Sequence, residues 1–234
     1  ERLTGSEYIM DIYAFCANSG MFEFADGGSL DDAIFGGKDG GGWSSKERLV
    51  VSHQAASGVA AVHTTDSKTM AAISHTDISA SQFVYLNKLG MFKLNDFNRA
   101  RFILKDRETG KPCPFAVASN KGKFRAPEEY VKPHVETEKI DVFSLGNILY
   151  IILTETFPFE KLSEDDAQEE VRKGGRPHIS KELLESTDPF LQALVKAINM
   201  CWRQDPKERS SATEVVDHLD KSLKKLGVAA KGER

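Results

Sequence analysis

Two acidic residues on tight loops, separated by a pair of short apolar strands, constrain this chain more than any other feature. The first stands in Ser74-His75-Thr76-Asp77-Ile78-Ser79-Ala80-Ser81-Gln82 and the second in Leu94-Asn95-Asp96-Phe97-Asn98. Between them, Phe83-Val84-Tyr85-Leu86 and Met91-Phe92-Lys93-Leu94 flank Asn87 to Gly90 in the pattern of a hairpin. Two carboxylates held this way suit metal-assisted phosphoryl transfer. One takes the proton of an incoming hydroxyl, and the other holds the magnesium that bridges the phosphates.

Composition narrows the alternatives. The chain has 234 residues, enough for one or two domains, and 40% hydrophobic residues, an ordinary share for a globular core. A formal net charge of −4 provides no basic field for nucleic acid or an anionic membrane, so neither is expected as a partner. Cys16, Cys113 and Cys201 are far apart and form no C-x-x-C spacing, which points to a reducing, cytoplasmic setting rather than a disulfide framework or a zinc site. Val142 to Leu153 is the longest near-apolar run, and it is shorter than the roughly 20 residues a membrane-spanning helix needs.

The order of elements follows from capping and periodicity. Aromatic and branched residues at Tyr8 to Phe15 and Met21 to Phe24 predict two strands. Ser44 with Glu47 forms a capping box ahead of a helix whose apolar face, Leu49, Ala56, Val59, Ala60 and Val62, runs to His63. A buried helix is expected over Lys139 to Leu153. Ser163 opens a helix that stops at Gly174, Pro189 opens one running to Trp202, and Ser211 with Glu214 caps a last one ending near Gly227. The run Gly36 to Gly42 lacks the Gly-Lys-Ser/Thr ending of a phosphate loop and reads as a flexible surface insertion.

Seven ordered motifs resemble the C-terminal lobe of the protein kinase family, closest to the tyrosine-kinase-like group of Ser/Thr kinases. Glu23 to Leu30 resembles the hinge between lobes, with Phe22 as gatekeeper, and Val62-His63 the end of the helix before the catalytic loop. His75-Thr76-Asp77 stands where the family has His-Arg-Asp, and Asp96-Phe97-Asn98 where it has Asp-Phe-Gly. Ala126-Pro127-Glu128 closes the activation segment, Asp141 to Gly146 begins the central helix, and Cys201-Trp202 through Asp205-Pro206 to Arg209 resembles the closing signature.

The resemblance implies a mainly α, α+β fold: a kinase-like C-lobe with a catalytic-loop hairpin and two remnant strands of the N-lobe. It implies residues 1–25 as N-lobe remnant and hinge, 26–227 as C-lobe and 228–234 as tail. Because the chain begins just before what would be the fourth strand of the small lobe, it is expected to be a fragment. The glycine-rich loop, strand lysine and helix glutamate are not among its residues, so the 234 residues alone are expected to be inactive.

For the parent protein the resemblance implies ATP and Mg²⁺ as cofactors and transfer of the γ-phosphate to Ser/Thr of a protein substrate. Asp77 would be the catalytic base, Phe22, Glu23 and Ala25 would face ATP, and Asp96 with Gln82 would hold magnesium. His75, Phe97, Glu128, Asp141 and Arg209 would be architectural, with Glu128 and Arg209 paired and Asp141 tying the catalytic loop to the central helix. Several departures weaken the chemistry. Gln82 replaces an asparagine, Ser79 the lysine that steadies the transferring phosphate, and Thr76 the arginine that binds an activation-loop phosphate. Lys121 replaces a threonine near Asp77 and is expected to pair with it. The alternative reading is therefore a pseudokinase, a binding or allosteric scaffold for a regulatory protein.

Overall fold

The computed structural model describes residues 2–17, 19–36, 42–117 and 121–230. Residues 37–41 of the glycine-rich run and residues 231–234 of the expected tail lie outside them. The opening strands are β1 (Ile12–Cys16) and β2 (Ser19–Phe22), an antiparallel pair. β2 lies two residues earlier than the sequence suggests, and β1 is shorter because residues 8–10 serve another element: Leu94 N–H donates to Tyr8 O at 2.8 Å and Met10 N–H to Leu94 O at 2.9 Å.

Gly27 and Gly28 then bring the chain against the hairpin, with Gly27 N–H on Tyr85 O at 3.0 Å and Tyr85 N–H on Gly28 O at 2.8 Å. A Cβ at Gly27 would sit 2.5 Å from the Tyr85 ring, so only glycine permits this approach. Helix α1 (Leu30–Phe35) follows, started by a capping box between Ser29 and Asp32. Helix α2 (Ser45–His63) begins at the expected Ser44/Glu47 box. It is buried on more than its apolar face, including Ser52, His53 and Gln54, since the helices Ala212–Lys225 and Lys139–Thr154 and the strand Met91–Leu94 pack around it.

The catalytic-loop region contains β3 (Ile73–Ser74), β4 (Phe83–Leu86), β5 (Met91–Leu94) and β6 (Arg101–Phe102). β4 and β5 form the expected hairpin, in register from Phe83 opposite Leu94 to Leu86 opposite Met91. β3 and β6 form a further antiparallel pair of two residues each.

Helix α3 (Lys139–Thr154) is the core of the molecule. Every residue from Ile140 to Leu153 is buried, as a helix that is apolar nearly all round requires. Its C-terminus is held by Arg48, which donates to Leu153 O at 2.9 Å and pairs with Glu155. Around it stand α4 (Glu164–Arg172), α5 (Lys181–Leu184), α6 (Pro189–Cys201) and α7 (Ala212–Lys225). α6 packs on α3, and α7 on α2 and α6. The fold is thus α-rich with a few short strands, in agreement with the fold class read from the sequence. Among the described residues no helix is long and apolar enough to cross a membrane.

Candidate active site

Asp141, on the first turn of α3, organises the loop that carries Asp77. Its carboxylate is 1% exposed and accepts from Ser74 Oγ at 2.8 Å, His75 N at 2.7 Å, Thr76 N at 2.7 Å and His63 Nε2 at 2.9 Å. Burial opposes its ionisation, but these donors outweigh burial, and its pKa lies below the ordinary carboxylate value. The tie from central helix to catalytic loop expected of Asp141 is therefore present, with His63 at the end of α2 as a further partner.

This anchoring holds Thr76 at φ +64°, a left-handed conformation that costs a β-branched residue roughly 1–2 kcal/mol. The Thr76 hydroxyl donates to Arg99 O at 2.8 Å, which helps to fix the bend. His75 completes the loop's support. Its Nε2 meets Asn95 O at 2.9 Å and its Nδ1 accepts from Asp77 N at 3.3 Å, a pattern that fits the neutral ring protonated on Nε2. The His75 and Phe97 rings meet edge to face with centroids 4.9 Å apart, the packing expected of that pair.

The second loop leaves β5 through Asn95, whose N–H donates to Gln82 O at 2.8 Å and so fastens it to the catalytic loop. Asp96 follows at φ +57° and accepts weakly from Asn98 N at 3.3 Å. Asp96, Gln82 and the hinge residues Phe22, Glu23 and Ala25 all line one cavity of about 1090 Å³. Five residues singled out for nucleotide and metal thus converge. Phe22 walls the cavity while remaining 55% exposed. Asp77 is outside this lining, on the neighbouring turn.

The fit to magnesium rests on Asp96 and Gln82. Among the described residues no three His, Cys, Asp or Glu side chains gather to form a metal cage. An ion here would take one carboxylate and one amide oxygen and complete its shell with phosphate oxygens and water, the usual habit of Mg²⁺.

Two cations shape the site that the sequence did not reveal. Arg125 donates from Nη2 to Asp77 Oδ1 at 2.8 Å and from Nη1 to Thr76 O at 2.7 Å. The partner of Asp77 is therefore Arg125, and the expected pairing with Lys121 is corrected. The planar guanidinium spans a carbonyl and a carboxylate at once, which an ammonium cannot do in the same fixed geometry. Lys121 is exposed and contributes its carbonyl, 3.4 Å from Arg125 Nε. Beneath the hinge, Lys93 of β5 is 5% exposed and donates to Glu23 Oε2 at 2.7 Å. Neither pair is close in sequence, and only the fold brings them together.

The family model for the protein kinase domain matches residues 2–219. Human mitogen-activated protein kinase kinase kinase 7 is 27% identical over 214 residues, 89% of this chain and 32% of the relative. Leucine-rich repeat serine/threonine-protein kinase 1 of Caenorhabditis elegans is 37% identical over 129 residues, 54% of this chain and 5% of that protein. The chain thus spans about a third of the length of the first of these relatives.

Proposed function

Because this chain belongs to the protein kinase family, we propose that the protein carrying it transfers the γ-phosphate of ATP to a serine or threonine of a protein substrate. The observation that carries this reading is the convergence of Phe22, Glu23, Ala25, Gln82 and Asp96 on one cavity large enough for a nucleotide. The hinge residues would take the adenine end, and Asp96 with Gln82 would hold magnesium. That ion, when bound, neutralises charge on the phosphates.

The chain's own residues supply the rest. Asp77, held by the loop that Asp141 anchors, would accept the proton of the incoming hydroxyl through Oδ2. Residues 1–25 are assigned to the small lobe and hinge, 26–227 to the large lobe and 228–234 to a tail. Three unpaired cysteines support a cytoplasmic setting.

A second reading, a kinase-like scaffold without turnover that binds a regulatory protein, is favoured by one observation. Asp77 Oδ1 is already held by Arg125. The experiment that separates the two is γ-phosphate transfer from labelled ATP with magnesium to a general acceptor such as casein, run beside the Asp96→Asn variant. Transfer that Asp96→Asn abolishes supports the kinase reading. Calorimetric binding of Mg·ATP with no transfer leaves the scaffold.

A further inference from the structure

The loop from Asp77 to Gln82 contains no basic side chain. Phosphoryl transfer nevertheless spreads negative charge over three oxygens and runs fastest when a fixed cation lies beside the acceptor. The fold brings that cation from a distant segment.

Arg125 sits against the candidate base with its side chain 13% exposed and that of Asp77 24% exposed. Nη2 reaches Asp77 Oδ1 at 2.8 Å, Nη1 reaches Thr76 O at 2.7 Å, and Nε reaches Lys121 O at 3.4 Å. Glu129 Oε2, 3.9 Å from Nη1, flanks the other edge. Five N–H donors sit on a guanidinium, so Nη2 keeps one beyond its bond to Asp77. Asp77 Oδ2 has no hydrogen bond among the described residues. Of the other cations nearby, Lys93 pairs with Glu23, Arg2 with Asp66, Lys123 donates to Phe159 O and Leu162 O, and the exposed Lys121 meets Arg125 only through its own carbonyl.

Resting on the phosphotransferase reading above, we propose that Arg125 is the phosphate-binding cation of this site. It orients Asp77 through Oδ1 and offers the remaining Nη2 hydrogen to the transferred phosphoryl group. In the reaction the acceptor oxygen forms the new bond to the γ-phosphorus, and its proton passes to Asp77 Oδ2. The bond from that phosphorus to the β,γ-bridging oxygen breaks, and its electron pair leaves on ADP. The contact between Arg125 and Asp77 is then productive, because it occupies the oxygen that does not take the proton.

Two readouts test this on the full protein. The first is binding alone, by calorimetry with magnesium and either ADP or the non-hydrolysable ATP analogue with an imido β,γ-bridge. Arg125→Met should erase the preference for the triphosphate analogue, a loss of roughly 10- to 100-fold for one charge-assisted hydrogen bond, while leaving ADP affinity unchanged. The second is turnover, which Arg125→Met should lower by roughly 100- to 1000-fold. Ser79→Lys added to Arg125→Met should recover part of both, and Arg125→Lys should lose less than Arg125→Met.

Unchanged discrimination between the nucleotides in Arg125→Met, or faster turnover, would overturn the proposal and identify Arg125 as a mask over the base. A wild-type protein that binds both nucleotides but transfers no phosphate overturns the kinase reading and this role with it. Wild-type transfer together with an indifferent Arg125→Met overturns this role alone.

Discussion

Arg209 and Glu128 meet through two parallel hydrogen bonds, Nη1 to Oε1 at 2.7 Å and Nη2 to Oε2 at 3.0 Å. The remaining donors of the guanidinium reach Lys139 O at 2.7 Å, Arg203 O at 3.0 Å and Gln204 O at 3.3 Å. Its carbon also lies 5.0 Å from the centre of the Phe143 ring. One fully buried arginine thus joins the end of the activation segment, the start of α3 and the loop before α7.

Removing one partner of such a pair strands the other, at a cost of about 3–5 kcal/mol. Arg209→Ala should therefore lose several kcal/mol in urea unfolding, whereas exposed Lys207→Ala should stay within about 0.5 kcal/mol of the parent. Equal midpoints for the two variants would remove the pair from the account.

Lys93 and Glu23 pin the hinge to β5. Lys93→Met leaves Glu23, 17% exposed, without its cation, and Glu23→Gln in the same background relieves that charge. The double variant should be more stable than Lys93→Met by about 1 kcal/mol or more, a coupling expected only of residues in contact. Additive effects in the cycle would show that the pair contributes nothing.

Glu129 gives a pH signature. It is 1% exposed, and burial pushes its pKa up to about 8 despite the opposing pull of Arg125 and the Ala126 N–H. A folded-state pKa above the unfolded value means that the contribution is complete below the unfolded pKa, near 4.5, and is lost as pH rises to about 8. Relative to Glu129→Gln, the parent should lose melting temperature between pH 5 and 8 and then level off. A pH-independent difference between the two proteins would contradict the buried, protonated carboxyl.

Sequence reading reached the elements whose signals are local. Ser44 with Glu47 and Ser211 with Glu214 form capping boxes as expected, and Gly174, at φ +94°, turns the chain out of α4 just past its C-cap Lys173. Helices α1 and α5 are not among the elements that the sequence predicts. Ser29 falls within the stretch that resembles the hinge while its capping partner Asp32 lies just beyond it, and α5 is a single turn behind Ser180. The β3–β6 pair has only two residues per strand and no periodicity to detect.

At the site, the converging hinge and loop residues were legible because each sits in a motif. Arg125 was not, since its partner is 48 positions away and nothing local marks it. Thr76 shows the same limit from the other side. Its strained backbone is imposed by Asp141, 65 residues on.

If Asp77 is the base of a phosphotransferase, as proposed, its carboxylate is needed for transfer and not for nucleotide binding. Transfer of labelled γ-phosphate to a protein acceptor should fall by at least about 100-fold in Asp77→Asn, the usual loss for a general base. Calorimetric affinity for Mg·ATP should stay close to the parent's, because Asp77 lies outside the cavity lining. Undiminished transfer by Asp77→Asn would contradict the claim.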